Sequence, residues 1–224
     1  MQRFTVVLAA AWLFAAGASW AQAPAHPQSV QPQGQYAQID TRLSRASLAL
    51  LAEGTPQDQQ DVLALLRTQP SKFQPPVLYA VSQTLWQAGE KEEAAFWFYA
   101  GQLRARIDAN LSADRSAAQA VSVLNGRYGQ PINQHVLQDL EKAEQLMARV
   151  QKWDLQTPYA YDRRWINLHG MQAVMASMNP GQAAQVLSQP QEQWPAITAQ
   201  TRSDYFEGFQ TSLAQLRAAA ETPR

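Results

Sequence analysis

The chain has 224 residues, 46% of them hydrophobic, with 18 Lys and Arg against 18 Asp and Glu and no cysteine. A formal charge of zero provides no electrostatic footprint for nucleic acid or an anionic membrane surface, both of which select clustered Lys and Arg. The absence of cysteine excludes disulfides, thiolate metal sites, a cysteine nucleophile and lipid anchoring through an N-terminal cysteine.

Met1-Gln2-Arg3 is a short basic start, and Phe4 to Gly17 is an apolar run followed by the small residues Ala18, Ser19, Ala21 and Ala23. At about 14 residues the run falls short of the roughly 20 that a helix needs to cross a bilayer. The pattern predicts a secretory signal peptide over 1–21, cleaved after Ala21, because cutting after Ala23 would put Pro24 at the first mature position. The expected compartment is the bacterial periplasm, with release from the cell as the alternative and no membrane span after cleavage. Residues 22–35, QAPAHPQSVQPQGQ, contain three prolines, five glutamines and one sizeable aliphatic, Val30, and read as a flexible tether. Residues 36–224 are enough for one folded domain.

That body reads as helical throughout. Ile39, Leu43, Ala46 and Leu50 recur at helical spacing up to a stop at Gly54. Thr55-Pro56 supplies a cap and first-turn proline for a second helix, which carries Val62, Leu63, Leu65 and Leu66 and ends at Pro70. Pro75-Pro76 opens a third, running to Gly89. Glu90, Glu92 and Glu93 begin a fourth, where carboxylates suit the positive end of the helix dipole. A fifth is expected from Ser112 to a left-handed cap at Asn125-Gly126. Leu137, Leu140, Ala143, Met147 and Val150 mark a sixth, and Trp165, Leu168, Met175 and Met178 a seventh. Phe206, Phe209, Leu213 and Leu216 mark the last. The expected fold is all-α, a single domain of about eight helices.

Four consecutive aromatics, Phe96, Trp97, Phe98 and Tyr99, step about 100° apart around a helix axis, so their helix must be buried on several sides. Gly101 in the same helix implies close approach by a neighbour, with Leu there worse tolerated than a change at Gln102. Arg104 and Arg106 either complement the C-terminal dipole or form an anion site. With the preceding helix, Ala80, Leu85, Gly89, Ala94, Trp97, Phe98 and Ala100 give residues 77–107 a shape that resembles a single Sel1 or tetratricopeptide-type hairpin. The nearest echo, Glu141 to Trp153, lacks the glycine and the aromatic cluster. The resemblance implies a scaffold, a bundle or short solenoid, that binds proteins or peptides on a concave surface.

Motifs for chemistry are sparse. His26, His135 and His169 have no metal-ligand spacing, and neither Gly-x-Ser-x-Gly nor Ser-x-x-Lys occurs, so no metal or cofactor is expected. Asp139, Glu141, Asp154 and Asp162 are acids that could pair in space for glycan chemistry. Met171, Met175 and Met178 are read as core filling, or as the lining of a ligand cavity. One segment combines side chains favoured at binding hot spots: Tyr159, Tyr161, Asp162, Arg163 and Arg164, beside a core Trp165. Its residues also suit a capping role within the bundle. Thirty of the 203 residues after Ala21 are Gln, a hydrogen-bonding surface with little long-range steering. The expected function is an exported, non-enzymatic protein that binds another protein, in its concrete form an immunity protein neutralising a toxin or effector in the periplasm. An envelope assembly or secretion adaptor, and an enzyme acting on envelope glycan or lipid, are the alternatives.

Overall fold

The computed structural model describes residues 31–179 and 186–221. The leader, its cleavage site, His26 and the first part of the tether lie outside them. The described residues form eight α-helices: α1 (Arg42–Glu53), α2 (Pro56–Thr68), α3 (Pro75–Gln87), α4 (Lys91–Leu111), α5 (Gln119–Val136), α6 (Leu140–Gln156), α7 (Met171–Met178) and α8 (Trp194–Glu221). Short 3-10 turns join several of them, and no strand occurs among the described residues beyond an isolated bridge between Ser112 and Ser188. No described helix is long and apolar enough to cross a membrane.

Local chemistry sets most boundaries. Thr55 and Asp58 form a reciprocal capping box at the start of α2, with Pro56 at the first helical position. Gly89, at φ +85°, lets the chain leave α3 through two reversed bonds, Gly89 N–H to Trp86 O and Glu90 N–H to Leu85 O. This is the Schellman arrangement, and the positive φ is why glycine sits there. Asp139 caps α6 by accepting the Lys142 N–H.

Helices α1 to α6 form three successive hairpins. The pair α3 and α4 packs most extensively, and α1 and α5 flank α3, so α1, α3 and α5 stand side by side. Helix α4 lies at the centre, against α3, α5, α6 and α8. Phe96, Trp97, Phe98 and Tyr99 are all buried and between them reach three neighbours: Phe96 and Trp97 meet Trp153 of α6, Phe98 meets Tyr79 of α3, and Tyr99 meets Phe209 of α8. At Gly101 a Cβ would stand 3.1 Å from the Leu78 Cβ and 3.2 Å from the Tyr79 ring, which is how closely α3 approaches. Trp165 is 2% exposed.

Five sequence expectations are corrected. Helix α5 does not end at Asn125-Gly126; it continues through Gly126 and Pro131 to Val136. Asn125 is held for a tertiary reason, its Oδ1 accepting from the Tyr79 hydroxyl and from Gln102 Nε2, so it has no capping role. Leu137, placed in the sixth helix, instead follows α5 and is 41% exposed, and α6 starts behind Asp139. The seventh stripe is two elements, a 3-10 turn Arg163–His169 and then α7, divided at Gly170. A side chain at Gly170 would collide with the Asp114 carboxylate, which accepts the Gln172 N–H, while Ser116 Oγ accepts that of Met171. The start of α7 is thus capped from a distant segment, and Met171, Met175 and Met178 are 60%, 46% and 72% exposed, so they do not fill the core. Against the inner face of α7, the 3-10 turn Gly34–Gln38 falls partly in the expected tether and buries Tyr36, which packs with Ile39, Ala173 and Leu187.

Candidate functional site

The five residues expected at a contact surface share one loop, and the polar groups of most are used within the molecule. The Tyr159 ring lies between two guanidinium groups, Arg104 at 4.1 Å and Arg163 at 4.2 Å. Arg104 also lies 4.3 Å from the Trp153 ring centre and Arg163 5.5 Å from that of Trp194, so rings and guanidinium groups alternate from α6 to the start of α8. Two fully buried carboxylates hold this series from the side. Asp154 accepts from Arg104 Nε at 3.0 Å and the Tyr159 hydroxyl at 2.7 Å on one oxygen, and from Arg202 Nε at 2.9 Å on the other. Asp108 accepts from Arg163 Nε at 2.8 Å, the Tyr161 hydroxyl at 2.9 Å and the Trp165 indole at 2.8 Å. Asp162 receives the Arg164 guanidinium and backbone N–H together with the backbone N–H of Asp40. Arg164 is the loop's most exposed charged partner, at 37%.

These surroundings set the ionisation of the loop. Burial raises the Asp108 carboxyl against the opposing pull of Arg163, Trp165 and Tyr161. Burial, then the charge of Asp108, raises the Tyr161 hydroxyl, and burial with Asp154 does the same to Tyr159. At Asp162 burial acts upward but is outweighed by the bonds from Arg164 and Asp40, which hold the carboxyl below its ordinary value. The acids considered for glycan chemistry stay apart in role: Asp154 and Asp162 are occupied as above, Asp139 caps α6 and pairs with Lys142, and Glu141 lies exposed on α6. Among the described residues no group of three His, Asp or Glu side chains is placed to hold a metal ion. His135 lies 3.6 Å from Glu92 and edge-on to Trp86, and His169 edge-on to Trp165.

The concave feature the sequence did not reveal is a groove along α1, α3 and α5. Its first stretch, about 440 Å³, is lined by Ser44, Arg45 and Leu48 of α1, Pro76 of α3, Ala120, Val123 and Leu124 of α5, and is closed by Trp165, Leu168 and His169. A second stretch, about 530 Å³, shares Leu48, Pro76 and Leu124 and continues past Leu51, Ala80, Gln83, Thr84, Gln87, Arg127 and Tyr128. The lining advances from N- to C-terminus on all three helices, so they run parallel, with α3 as floor and α1 and α5 as walls. Small side chains make the hollow: Ser44 and Ala120 on the walls and Ala80 on the floor leave room that larger residues would fill. Val123 is 60% exposed in the wall. No carboxylate lines either stretch; the charges are Arg45 and Arg127, both exposed, Arg127 lying over the Tyr128 ring. The hollow lined from α4, the end of α5 and α6 differs, since both signs line it: Asp139 pairs with Lys142, Arg149 pairs with Glu93, and Glu92 lies 3.6 Å from His135.

Nothing in the sequence marks the groove directly, because its walls come from helices more than 60 residues apart; the nearest signal is Val123 and Leu124 beside Arg127, apolar and basic groups within one turn. Comparison with protein-family models, with curated proteins and with solved structures finds no match to this chain.

Proposed function

We propose that this protein is an exported, non-enzymatic helical scaffold that binds another protein, and that the groove along α1, α3 and α5 takes an amphipathic helix of that partner. The observation that carries this is the groove's chemistry: a concave channel, apolar along its first stretch and mixed with Gln59, Gln83, Thr84 and Gln87 along its second, in which the charged lining groups are Arg45 and Arg127. Between Thr41 and Ala52 the α1 wall runs roughly 16 Å, about three turns of a docked helix. A helix with apolar residues at i, i+3, i+4 and i+7 would bury them over Leu48, Pro76 and Leu124, and carboxylates on its flanks would meet the two arginines. The three stacked hairpins, with their first helices side by side, support the resemblance to Sel1 and tetratricopeptide scaffolds drawn from residues 77–107. Export is supported by the leader pattern at 1–21. An immunity protein that holds a helix of a periplasm-targeted toxin is the concrete form of this reading.

The test is a photo-crosslinking residue placed at Val123, in the chain expressed with its leader in its own host. The expected result is one stoichiometric partner, located in the periplasm and crosslinked through a helix bearing Asp or Glu. Purified complex should then dissociate at least tenfold more readily with Leu48→Asp, in a variant that keeps its helical circular dichroism. A partner held equally well by Leu48→Asp, or joined elsewhere on the surface, would remove the groove from the proposal; a toxin identity would establish the immunity role.

A further inference from the structure

Helix α7 is packed the opposite way to an ordinary amphipathic helix. Its small residues are inside, Ala173 being 7% exposed and packed with Tyr36, Ile39 and Leu187 while Ala176 lies against the same cluster. Its large residues are outside, Met171, Met175 and Met178 being 60%, 46% and 72% exposed. Burial free energy alone favours the reverse arrangement. The spacing of four and then three residues puts the three methionines on one face, within an arc of about 60° and along roughly 10 Å of axis. Neighbours at these spacings have Cβ atoms about 5–6 Å apart, and an unbranched thioether with three rotatable bonds can converge on its neighbours across that span. Of the other two methionines in the sequence, Met1 begins the leader and Met147 is 1% exposed in the core.

The chemistry around this face is equally selective. No charged residue occurs from Gly170 to Gln191, and the nearby Asp114 carboxylate, 7% exposed, is taken up by the Gln172 N–H and by Ser116. The one side-chain hydroxyl within α7, Ser177, is turned back to donate to the Val174 carbonyl. The donors presented are therefore thioether sulfurs, which are soft and select Cu(I) and its analogue Ag(I) over Zn(II), Mg(II) or Ca(II). With no cysteine in the chain, thioethers are also its only sulfur ligands.

We propose that Met171, Met175 and Met178 form a surface three-thioether site for Cu(I). The site does not depend on the groove. It is tested with Ag(I), which needs no anaerobic handling, on protein labelled at the methionine methyl carbons, followed by Cu(I) in competition with a chromogenic Cu(I) chelator. The expected result is saturation at one equivalent, with the methyl signals of Met171, Met175 and Met178 moving together and that of Met147 unmoved. The triple variant Met171→Leu, Met175→Leu, Met178→Leu keeps the apolar face and close to the same volume. It should keep the fold, by circular dichroism and melting temperature, and lose Cu(I) affinity at least a hundredfold. Equal binding by the triple variant, no saturation at one equivalent, or movement of histidine signals in place of the three methyls would each overturn the site. Zn(II) matching Ag(I) in shift and stoichiometry would overturn it as well.

Discussion

At the scale of single residues, the molecule spends its most interactive side chains on its own interior. Asp108 has three partners, Arg163, Tyr161 and Trp165, and all three are donors. An amide in its place must turn an N–H₂ toward at least one of them and leaves the Arg163 guanidinium without its counter-charge. Asp108→Asn is therefore expected to cost about 3–5 kcal/mol, the cost of breaking a buried pair from one side. Arg164→Ala, on a partly exposed pair, should cost less than about 1 kcal/mol. Urea unfolding of both variants checks this, and an Asp108→Asn cost below that of Arg164→Ala would show that the buried network is dispensable. Asp162 gives the pH dependence. Its folded-state carboxyl lies below the ordinary value near 4, so its contribution is complete above that value and fades as pH falls through and below it. Asp162→Asn should lower stability at pH 7 by up to about 1 kcal/mol, the worth of a partly exposed ion pair with Arg164, and the gap to the parent should close toward pH 2. A gap unchanged between pH 7 and pH 2 would mean that the charge of Asp162 is not what matters.

At the scale of elements, the glycines of α5 separate intrinsic helix preference from packing. A Cβ at Gly126 meets nothing within 4 Å, whereas at Gly129 it would stand 2.8 Å from the Phe98 ring. Gly126→Ala should stabilise by about 0.5–1 kcal/mol, the helix preference of alanine over glycine. Gly129→Ala should destabilise by roughly 1–3 kcal/mol through overpacking. Thermal melts that move in the same direction for both would contradict the packing described around α4 and α5. The same helix shows what was legible in the sequence. Thr55-Pro56, Pro75-Pro76 and Gly89 are local signals, each satisfied within about three residues of itself, and they marked their boundaries well. Asn125-Gly126 looks the same on paper, but Asn125 answers to Tyr79 and Gln102, 46 and 23 residues away, and tertiary bonds overrode the local signal. The loop from Tyr159 to Arg164 was legible as a cluster but not in direction, because Asp108 lies 53 residues from Tyr161. A concave surface was implied by the hairpin resemblance, but the lining of the groove was not legible, since a concavity between α1, α3 and α5 belongs to no segment.

At the scale of the whole molecule, neutrality in total conceals a local imbalance. Basic and acidic side chains balance 18 to 18 across the chain, yet the groove holds Arg45 and Arg127 without an acid. Two charges on a neutral body steer a partner only over short distances, because the screening length is about 10 Å at 0.1 M salt. Association of an acidic helix with the groove should thus have an ordinary on-rate with modest salt dependence, falling a few-fold between 0.05 and 0.5 M. The double reversal Arg45→Glu, Arg127→Glu should invert that dependence, since added salt then screens repulsion, while leaving unfolding within about 0.5 kcal/mol of the parent as expected for exposed positions. Stopped-flow association with the crosslinked partner's helix, made as a peptide, measures it. A rate that rises with salt in the variant and falls in the parent places the arginines at the contact. Parallel slopes would mean that the partner's charges are read elsewhere, and the groove would be left with apolar recognition alone.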